Sequence, residues 1–169
     1  MTTFIALLRA VNVGGTGKLP MIELKAMCEA AGFTNVRTYI ASGNVVFDSA
    51  LTEKAVAKKL AASLEEYAGK PVGAMVRTGP EMAAVLEANP FKDAAPNLTF
   101  AIFLDAAPPA DTIDKVRGQR DEALSLGERE IYVTYPGGSG SSKLKIPAAA
   151  AGTARNMNTI AKLAEMAGA

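Results

Sequence analysis

The fold of this chain is decided first by the stretch Phe4-Ile5-Ala6-Leu7-Leu8-Arg9-Ala10-Val11-Asn12-Val13-Gly14-Gly15. Its apolar first half predicts a buried β-strand over Phe4 to Leu8, and Pro20 then predicts the start of a helix. A strand that delivers Arg9, Asn12 and two glycines to its carboxyl end, just before a helix, presents polar groups at one edge of a sheet. We therefore expect a binding site at that edge.

The elements that follow this strand predict a ferredoxin-like unit. A helix with an apolar stripe is expected from Pro20 to about Ala31, a hairpin follows, and Thr52 caps a second amphipathic helix. The remaining predicted elements are strands over Val36 to Ala41 and Asn44 to Asp48, a helix from Thr52 to Tyr67, a strand over Pro71 to Arg77 and a helix over Glu81 to Ala88. The hairpin turn is expected at Ser42-Gly43 or at Gly43-Asn44. The order β-α-β-β-α-β implies two helices on one face of a four-stranded antiparallel sheet.

A second, related α/β half is predicted from a short internal echo. The segment Thr3 to Ala10 resembles the segment Thr99 to Ala106, and a similar order of elements follows each. We expect a helix near Pro109 to Gly118, strands near Ala123 to Leu126 and Ile131 to Tyr135, and a last helix over Asn156 to Ala167. The predicted organisation is α+β, with the ferredoxin-like unit at 1–88, a connector at 89–98, and the second half at 99–169 packed against the first.

Composition narrows the class of protein. The chain has 169 residues, 18 basic against 17 acidic groups and a net charge of +1, which disfavours a protein that coats a polyanion. It has no histidine and one cysteine, so the common nucleophile, general-base and metal-ligand sets cannot be assembled. Cys28 has helical spacing with apolar neighbours and is expected in a core. The single cysteine and the lack of a leader or an apolar span predict a cytoplasmic protein with no membrane contact.

The candidate ligand-binding residues come from four segments. They are Arg9, Asn12, Gly14, Gly15, Lys18, Tyr39, Ser42, Asn44, Lys143, Arg155 and Asn156. Arginine offers five fixed donors to a carboxylate or phosphate, amides donate and accept, and a helix start attracts anions. Structural roles stay open beside these: Arg9 paired with a carboxylate such as Asp48, hairpin chemistry for Ser42 and Asn44, and capping for Asn156.

A loop rich in glycine and serine ends at a lysine; it is Pro136-Gly137-Gly138-Ser139-Gly140-Ser141-Ser142-Lys143. A P-loop is rejected, because that motif needs Gly directly before Lys and Ser or Thr after it, whereas Ser142 precedes Lys143 and Leu144 follows. A mobile lid or an anion-binding nest competes here with a plain flexible connection.

Taken together, four segments resemble the bacterial family labelled domain of unknown function 1697. They are Leu7 to Gly15, Tyr39 to Phe47, Ser142-Lys143-Leu144 and Thr153 to Thr159. The resemblance implies a compact α+β fold with ferredoxin-like halves, and it marks Gly43 as a recurrent motif position along with most of the candidates above. Family members usually carry Trp where this chain has Met157, which weakens the case for an aromatic stacking surface there.

Three classes of function are consistent with these residues. The leading hypothesis is a protein that binds a small anionic or polyhydroxylated ligand in one polar cleft, formed by the Arg9-Asn12 loop, the Ser42-Asn44 hairpin and a helix start at Arg155-Asn156. Arg9, Lys143 and Arg155 are its charge partners, and no metal or cofactor is expected. The first alternative is an enzyme that works without histidine through Asp48, Asp105, Tyr39 or a lysine. The second is a module that binds single-stranded nucleic acid or a protein partner. Nucleic acid is disfavoured by the low charge, and a homodimer paired through sheet edges stays open.

Overall fold

A computed structural model describes residues 1–9, 19–40 and 42–168 of the chain. By internal contacts the chain divides into two compact units, Met1–Met82 with Leu163–Ala169, and Ala83–Lys162. The predicted connector over 89–98 stays a prediction.

Within the described residues the protein is a mixed α/β protein with two four-stranded antiparallel sheets and four α-helices. The strands are β1 Thr2–Leu8, β2 Thr34–Tyr39, β3 Asn44–Ser49, β4 Ala74–Thr78, β5 Thr99–Phe103, β6 Ala123–Leu126, β7 Glu130–Thr134 and β8 Thr153–Asn156. The α-helices are α1 Met21–Ala30, α2 Glu53–Ala68, α3 Gly79–Glu87 and α4 Met157–Met166, with short 3-10 turns at Pro96–Leu98, Ile113–Lys115 and Pro147–Ala149. None of these helices is long and apolar enough to cross a membrane.

The first sheet has the strand order β2-β3-β1-β4. β1 is central and pairs antiparallel with β3, where Phe4 lies opposite Phe47, and with β4, where Ile5 lies opposite Arg77. Because β1 and β2 run one way while β3 and β4 run the other, β1 and β2 end at the side of the sheet where β3 and β4 begin.

Helices α1 and α2 pack on one face of this sheet, as their apolar spacing predicts. Leu24 and Cys28 of α1 and Leu60 of α2 join Phe4 and Phe47 in one buried cluster, and the Phe33 ring stacks on Phe47 with centroids 4.2 Å apart. The Thr52 side chain accepts a hydrogen bond from the Ala55 N–H, as the predicted N-cap requires. The core position of Cys28 is confirmed.

The connection between β2 and β3 is longer than the sequence indicates. Tyr39 pairs with Asn44, so four residues separate the strands where a two-residue turn is predicted. Gly43 carries the positive φ, 92°, that the chain needs to enter β3. The predicted strand from Pro71 begins later, at Ala74, since proline has no N–H to give to the sheet.

The second sheet repeats the strand order of the first, β6-β7-β5-β8, so that its second, third, first and fourth strands lie side by side. The predicted helix over Pro109 to Gly118 is wrong: the chain forms only the 3-10 turn Ile113–Lys115 there. The segment has too few apolar side chains to anchor a short helix, and Ile113 itself is 38% exposed.

No α-helix covers the face of the second sheet that carries Ile102 and Val133 within the described chain. The segment from Leu144 to Ala149, which follows the glycine-serine loop, packs on that face instead. On the opposite face the Tyr132 hydroxyl donates to the Val85 carbonyl of α3 at 2.7 Å, and burial raises the pKa of Tyr132 to about 12. The two units therefore share the strand order of their sheets, whereas different segments pack on the sheet faces.

Candidate functional site

Several residues that the sequence marks lie at the end of the first sheet where β1 and β2 stop. The Leu8 N–H donates to the Gly43 carbonyl and the Arg9 N–H donates to the Gly73 carbonyl, both at 2.8 Å. Arg9 thus lies between the β2–β3 turn and the start of β4. We call Arg9, Tyr39, Ser42, Gly43 and Gly73 the strand-end edge.

Arg9 is exposed, and its stem lies along Gly73. A Cβ at Gly73 would stand 3.3 Å from Arg9 Cδ and 3.4 Å from Arg9 Cβ, so the glycine leaves room for the arginine to lie flat. The Arg9 stem therefore packs against the backbone at the start of β4, and the residue as a whole is exposed.

Asn44 stabilises the β2–β3 turn from its buried side. It is fully buried, and its Nδ2 donates to the Tyr39 carbonyl and to Ser42 Oγ, each at 2.9 Å. Both bonds lie within the hairpin, so Asn44 positions the exposed Ser42 rather than presenting its own amide to a ligand. Asn44 therefore has the role in the hairpin that the sequence offers as the alternative to ligand binding.

Ile40 is a feature of the edge that sequence reasoning missed. It has φ of 49° and is 49% exposed. A β-branched residue in the left-handed region is strained, and such strain concentrates at ligand-binding and catalytic positions. No signal in the sequence marks it, because isoleucine is a strand former that the pattern assigns to β2.

Four of the predicted ligand-binding residues, Asn12, Gly14, Gly15 and Lys18, lie outside the described residues, as does Ala41. Their part in the site stays a prediction.

The alternative in which Asp48 neutralises Arg9 is wrong. Asp48 lies opposite Thr3, and its Oδ1 accepts from the Thr3 hydroxyl at 2.7 Å. Thr3 and Arg9 are separated by six residues of extended chain, which places them about 20 Å apart. Asp48 therefore lies beside the start of β1, at the opposite end of the sheet from Arg9. Asp105, the other carboxylate weighed for acid–base chemistry, is exposed.

In the second unit Thr153–Asn156 form the edge strand β8, so Arg155 lies in a strand and not at a helix start. The predicted last helix over Asn156 to Ala167 is confirmed as α4, Met157–Met166, which begins directly after Asn156. Arg155 is 6% exposed, and its Nη1 donates to Thr153 Oγ1 at 2.6 Å and to the Ala154 carbonyl at 2.9 Å. Burial lowers the pKa of Arg155 to about 10. Asn156 Oδ1 accepts from the Thr159 N–H at 2.9 Å, so its capping role is confirmed.

Lys143 lines a cleft of the second unit, about 350 Å³ in volume, which we call the loop cleft. Its walls are Arg120, Asp121 and Glu122 on one side and Gly137, Ser142 and Lys143 on the other. Ser142 Oγ donates to Glu122 Oε2 at 2.5 Å and accepts from the Leu144 N–H at 3.1 Å. The glycine-serine loop is therefore tied to the neighbouring segment and is not a plain flexible connection.

The Glu122 carboxylate is the anchor of this loop. The Ser142 hydroxyl, the Arg120 N–H, the N–H of Glu122 itself and the charge of Arg120 together lower its pKa. The Arg120 N–H donates to Oε1 at 2.6 Å, so each carboxylate oxygen accepts a bond from the protein. Among residues 1–9, 19–40 and 42–168 there is no group of three His, Cys, Asp or Glu side chains placed to hold a metal ion.

The fold defines a class: a mixed α/β protein with two four-stranded antiparallel sheets. The chain belongs to the family described as Protein of unknown function (DUF1697), which matches residues 1–132. It is similar to the conserved bacterial protein SP0830 from Streptococcus pneumoniae, with 26% identity over 98% of each chain and a TM-score of 0.81. No curated protein matches the chain.

Proposed function

We propose that the strand-end edge binds a small anionic or polyhydroxylated molecule that carries a phosphate or a carboxylate. One observation carries the proposal: backbone bonds to Gly43 and Gly73 fix an exposed Arg9 at the same end of the sheet as the exposed Ser42. A guanidinium presents two parallel N–H groups to a phosphate or carboxylate, and a serine hydroxyl adds a neutral hydrogen-bonding group.

The local backbone supports this proposal. Asn44 supports the turn from the interior, and strain at Ile40 is retained in the turn next to Ser42. The sequence continues from Arg9 into Asn12, Gly14, Gly15 and Lys18, residues of the types that bring an amide, open backbone N–H groups and a second cation to an anion. We propose that this segment completes the site.

The proposal does not depend on the second unit. Arg155 donates to Thr153 and Ala154, and Asn156 caps α4, so neither is needed as a ligand contact. That Lys143, Arg155 and Asn156 join the edge in a common cleft stays a prediction.

We infer further that the first unit has the ferredoxin-like arrangement. Support comes from its strand order, in which β1 lies between β3 and β4, and from two helices packed on one face. We also propose a cytoplasmic location, supported by a single cysteine that is buried.

The test is a thermal-shift screen of the whole chain against nucleotides, sugar phosphates, simple carboxylates and short RNAs. A ligand of the edge at one hundred times its Kd stabilises the protein by about 2.7 kcal/mol. Arg9→Ala should abolish that shift, and Arg9→Lys should reduce it because the fork geometry is lost. Lys54→Ala, an exposed cation of α2, is the matched control and should keep the shift.

If Arg9→Ala keeps the full shift, the edge is not the site. A shift given by short RNAs alone, with a steep dependence on salt, would support the nucleic-acid alternative instead.

A further inference from the structure

The loop cleft is a built feature of the second unit. Arg117 and Lys145 exchange backbone hydrogen bonds at 2.9 and 2.8 Å, which joins the segments on either side of the cleft. A Cβ at Gly118 would stand 2.2 Å from the Lys143 carbonyl oxygen, so the two segments are in closest backbone contact there. Ser142 and Glu122 add a side-chain bond across the same gap. Backbone and side-chain hydrogen bonds therefore join the two walls of the cleft at one end.

The charges around the cleft are of both signs. Arg120 and Lys143 are exposed and bring two cations, while Asp121 and Glu122 bring two anions. Both oxygens of Glu122 already accept from Ser142 and from the Arg120 N–H. Of the two carboxylates, the exposed Asp121 is the one placed to meet a ligand.

The Asp121 side chain extends from one wall of the cleft to the other. A Cβ at Gly137 would lie 3.2 Å from Asp121 Oδ2, so the carboxylate rests against the glycine-serine loop. Glycine at 137 leaves that carboxylate uncovered by a side chain. An acceptor for a cationic group and two donors for an anionic group thus line one small space.

We propose that the loop cleft binds a small zwitterion of the α-amino acid type. Its carboxylate pairs with Arg120 and Lys143, and its ammonium group pairs with Asp121. The lining carries two positive and two negative side chains, so a ligand of zero net charge with both signs present fits better than a pure anion. The volume of about 350 Å³ lies at the small end of ligand sites, which suits a molecule of this size.

The test is calorimetric titration of the whole chain with L-serine and two matched probes that each lack one charge. N-acetyl-L-serine has no ammonium group and L-serine methyl ester has no carboxylate. The proposal expects saturable binding of L-serine and a Kd at least about tenfold weaker for each probe, as removal of one charge-assisted bond requires. Equal binding of N-acetyl-L-serine would make the cleft an anion site, and equal binding of the ester would make it a cation site; either result overturns the proposal, as does no saturable binding up to about 10 mM.

Variants locate the binding. Asp121→Asn should weaken L-serine about tenfold to a hundredfold and make it no tighter than the N-acetyl probe, and Lys143→Gln should act on the carboxylate in the same way. Lys145→Gln, an exposed lysine two positions along and outside the cleft lining, is the control and should bind as the wild type does. Arg9→Ala should also bind L-serine normally, which separates this site from the strand-end edge. Unchanged binding in Asp121→Asn, with circular dichroism showing an intact fold, would overturn the assignment.

Discussion

Arg77 and Arg155 occupy the same position in the two sheets. Arg77 on β4 lies opposite Ile5 of β1, and Arg155 on β8 lies opposite Ala101 of β5. Ile5 and Ala101 are themselves equivalent when the segment starting at Thr3 is aligned with the segment starting at Thr99. Both arginines are buried, 2% and 6% exposed, and each donates to the carbonyl of the residue before it, Val76 or Ala154.

The equivalence extends beyond the arginines. The Leu8 N–H donates to the Gly43 carbonyl at 2.8 Å, and at the matching positions the Leu104 N–H donates to the Arg129 carbonyl at 2.9 Å. The next residue of each third strand is a buried polar one, Asn44 in the first sheet and Glu130 in the second. The two sheets therefore match in strand order and at these positions, and they differ most in the connections between strands.

This equivalence predicts that the two arginines are alike in their contribution to stability. Arg77→Ala and Arg155→Ala should each lower the free energy of unfolding by about 2–4 kcal/mol, through lost packing and lost bonds from a charged donor. Arg9→Ala, at an exposed position, should change it by no more than about 0.5 kcal/mol. Urea unfolding followed by circular dichroism measures all three. A large loss in one buried-arginine variant and none in the other would contradict the equivalence.

The first half of the fold could be predicted because local signals and packing agree there. Pro20, Thr52 and Gly32 mark the ends of helices whose apolar stripes pack on one face of the sheet. In the second half Asp111 to Gly118 has turn-forming and charged residues with little to bury, so the predicted helix does not form. The last helix is predicted from Asn156, one residue before α4 begins. The strand that precedes it is not predicted, because Thr153 and Asn156 are both capping residues, whereas edge pairing with β5 makes Thr153–Asn156 a strand.

The candidate site could be predicted only in part, for a physical reason. The sequence marks Arg9 and Ser42 through polar residues at strand ends, and the register brings them to one edge. It gives no sign that Asn44 bonds inward, that Arg155 is buried, or that Asp121 reaches Gly137. The Asn44 bonds depend on the geometry of a four-residue turn, and the other two facts depend on contacts between distant segments; a one-dimensional pattern contains neither.

Gly118 is predicted to be indispensable to the base of the loop cleft. A Cβ there would meet the Lys143 carbonyl oxygen at 2.2 Å, and φ is +70°. Gly118→Ala should therefore destabilise the protein by about 2 kcal/mol or more, since both the clash and the left-handed backbone oppose the side chain. Gly140→Ala is the matched control in the neighbouring loop, where nothing lies within 4 Å of the added carbon. Comparable melting temperatures for the two variants would contradict this prediction.

The equivalent caps of α3 and α4 should also contribute similarly. Thr78 Oγ1 accepts from the Glu81 N–H at 3.2 Å while Glu81 Oε1 accepts from the Thr78 N–H at 2.8 Å, and Asn156 Oδ1 accepts from the Thr159 N–H at 2.9 Å. Thr78→Ala and Asn156→Ala should each cost about 1 kcal/mol of stability by leaving helix N–H groups without a side-chain acceptor. Asn158→Ala, exposed in the first turn of α4, serves as the control. Chemical denaturation in which Asn156→Ala matches the control would rule out the cap as a stabilising contact.

The buried thiol of Cys28 predicts an alkaline dependence of stability. Burial raises its pKa from 9.0 to about 12, with a smaller contribution from the charge of Glu29. Above about pH 9 the unfolded chain loses the thiol proton while the folded chain keeps it, so folding becomes less favourable by up to about 1.4 kcal/mol per pH unit. The stabilising difference is complete below pH 9 and declines as the pH rises towards 12. Urea unfolding between about pH 8 and pH 9.5 follows this decline, because the tyrosines, whose ordinary pKa is 10.0, titrate mostly above that range. Cys28→Ala should be less stable at pH 8 because of the cavity but should show a shallower decline of stability with pH.

An equally steep decline in the variant would assign the alkaline loss of stability to other groups. Rapid reaction of the native thiol with a soluble disulfide reagent would contradict its burial.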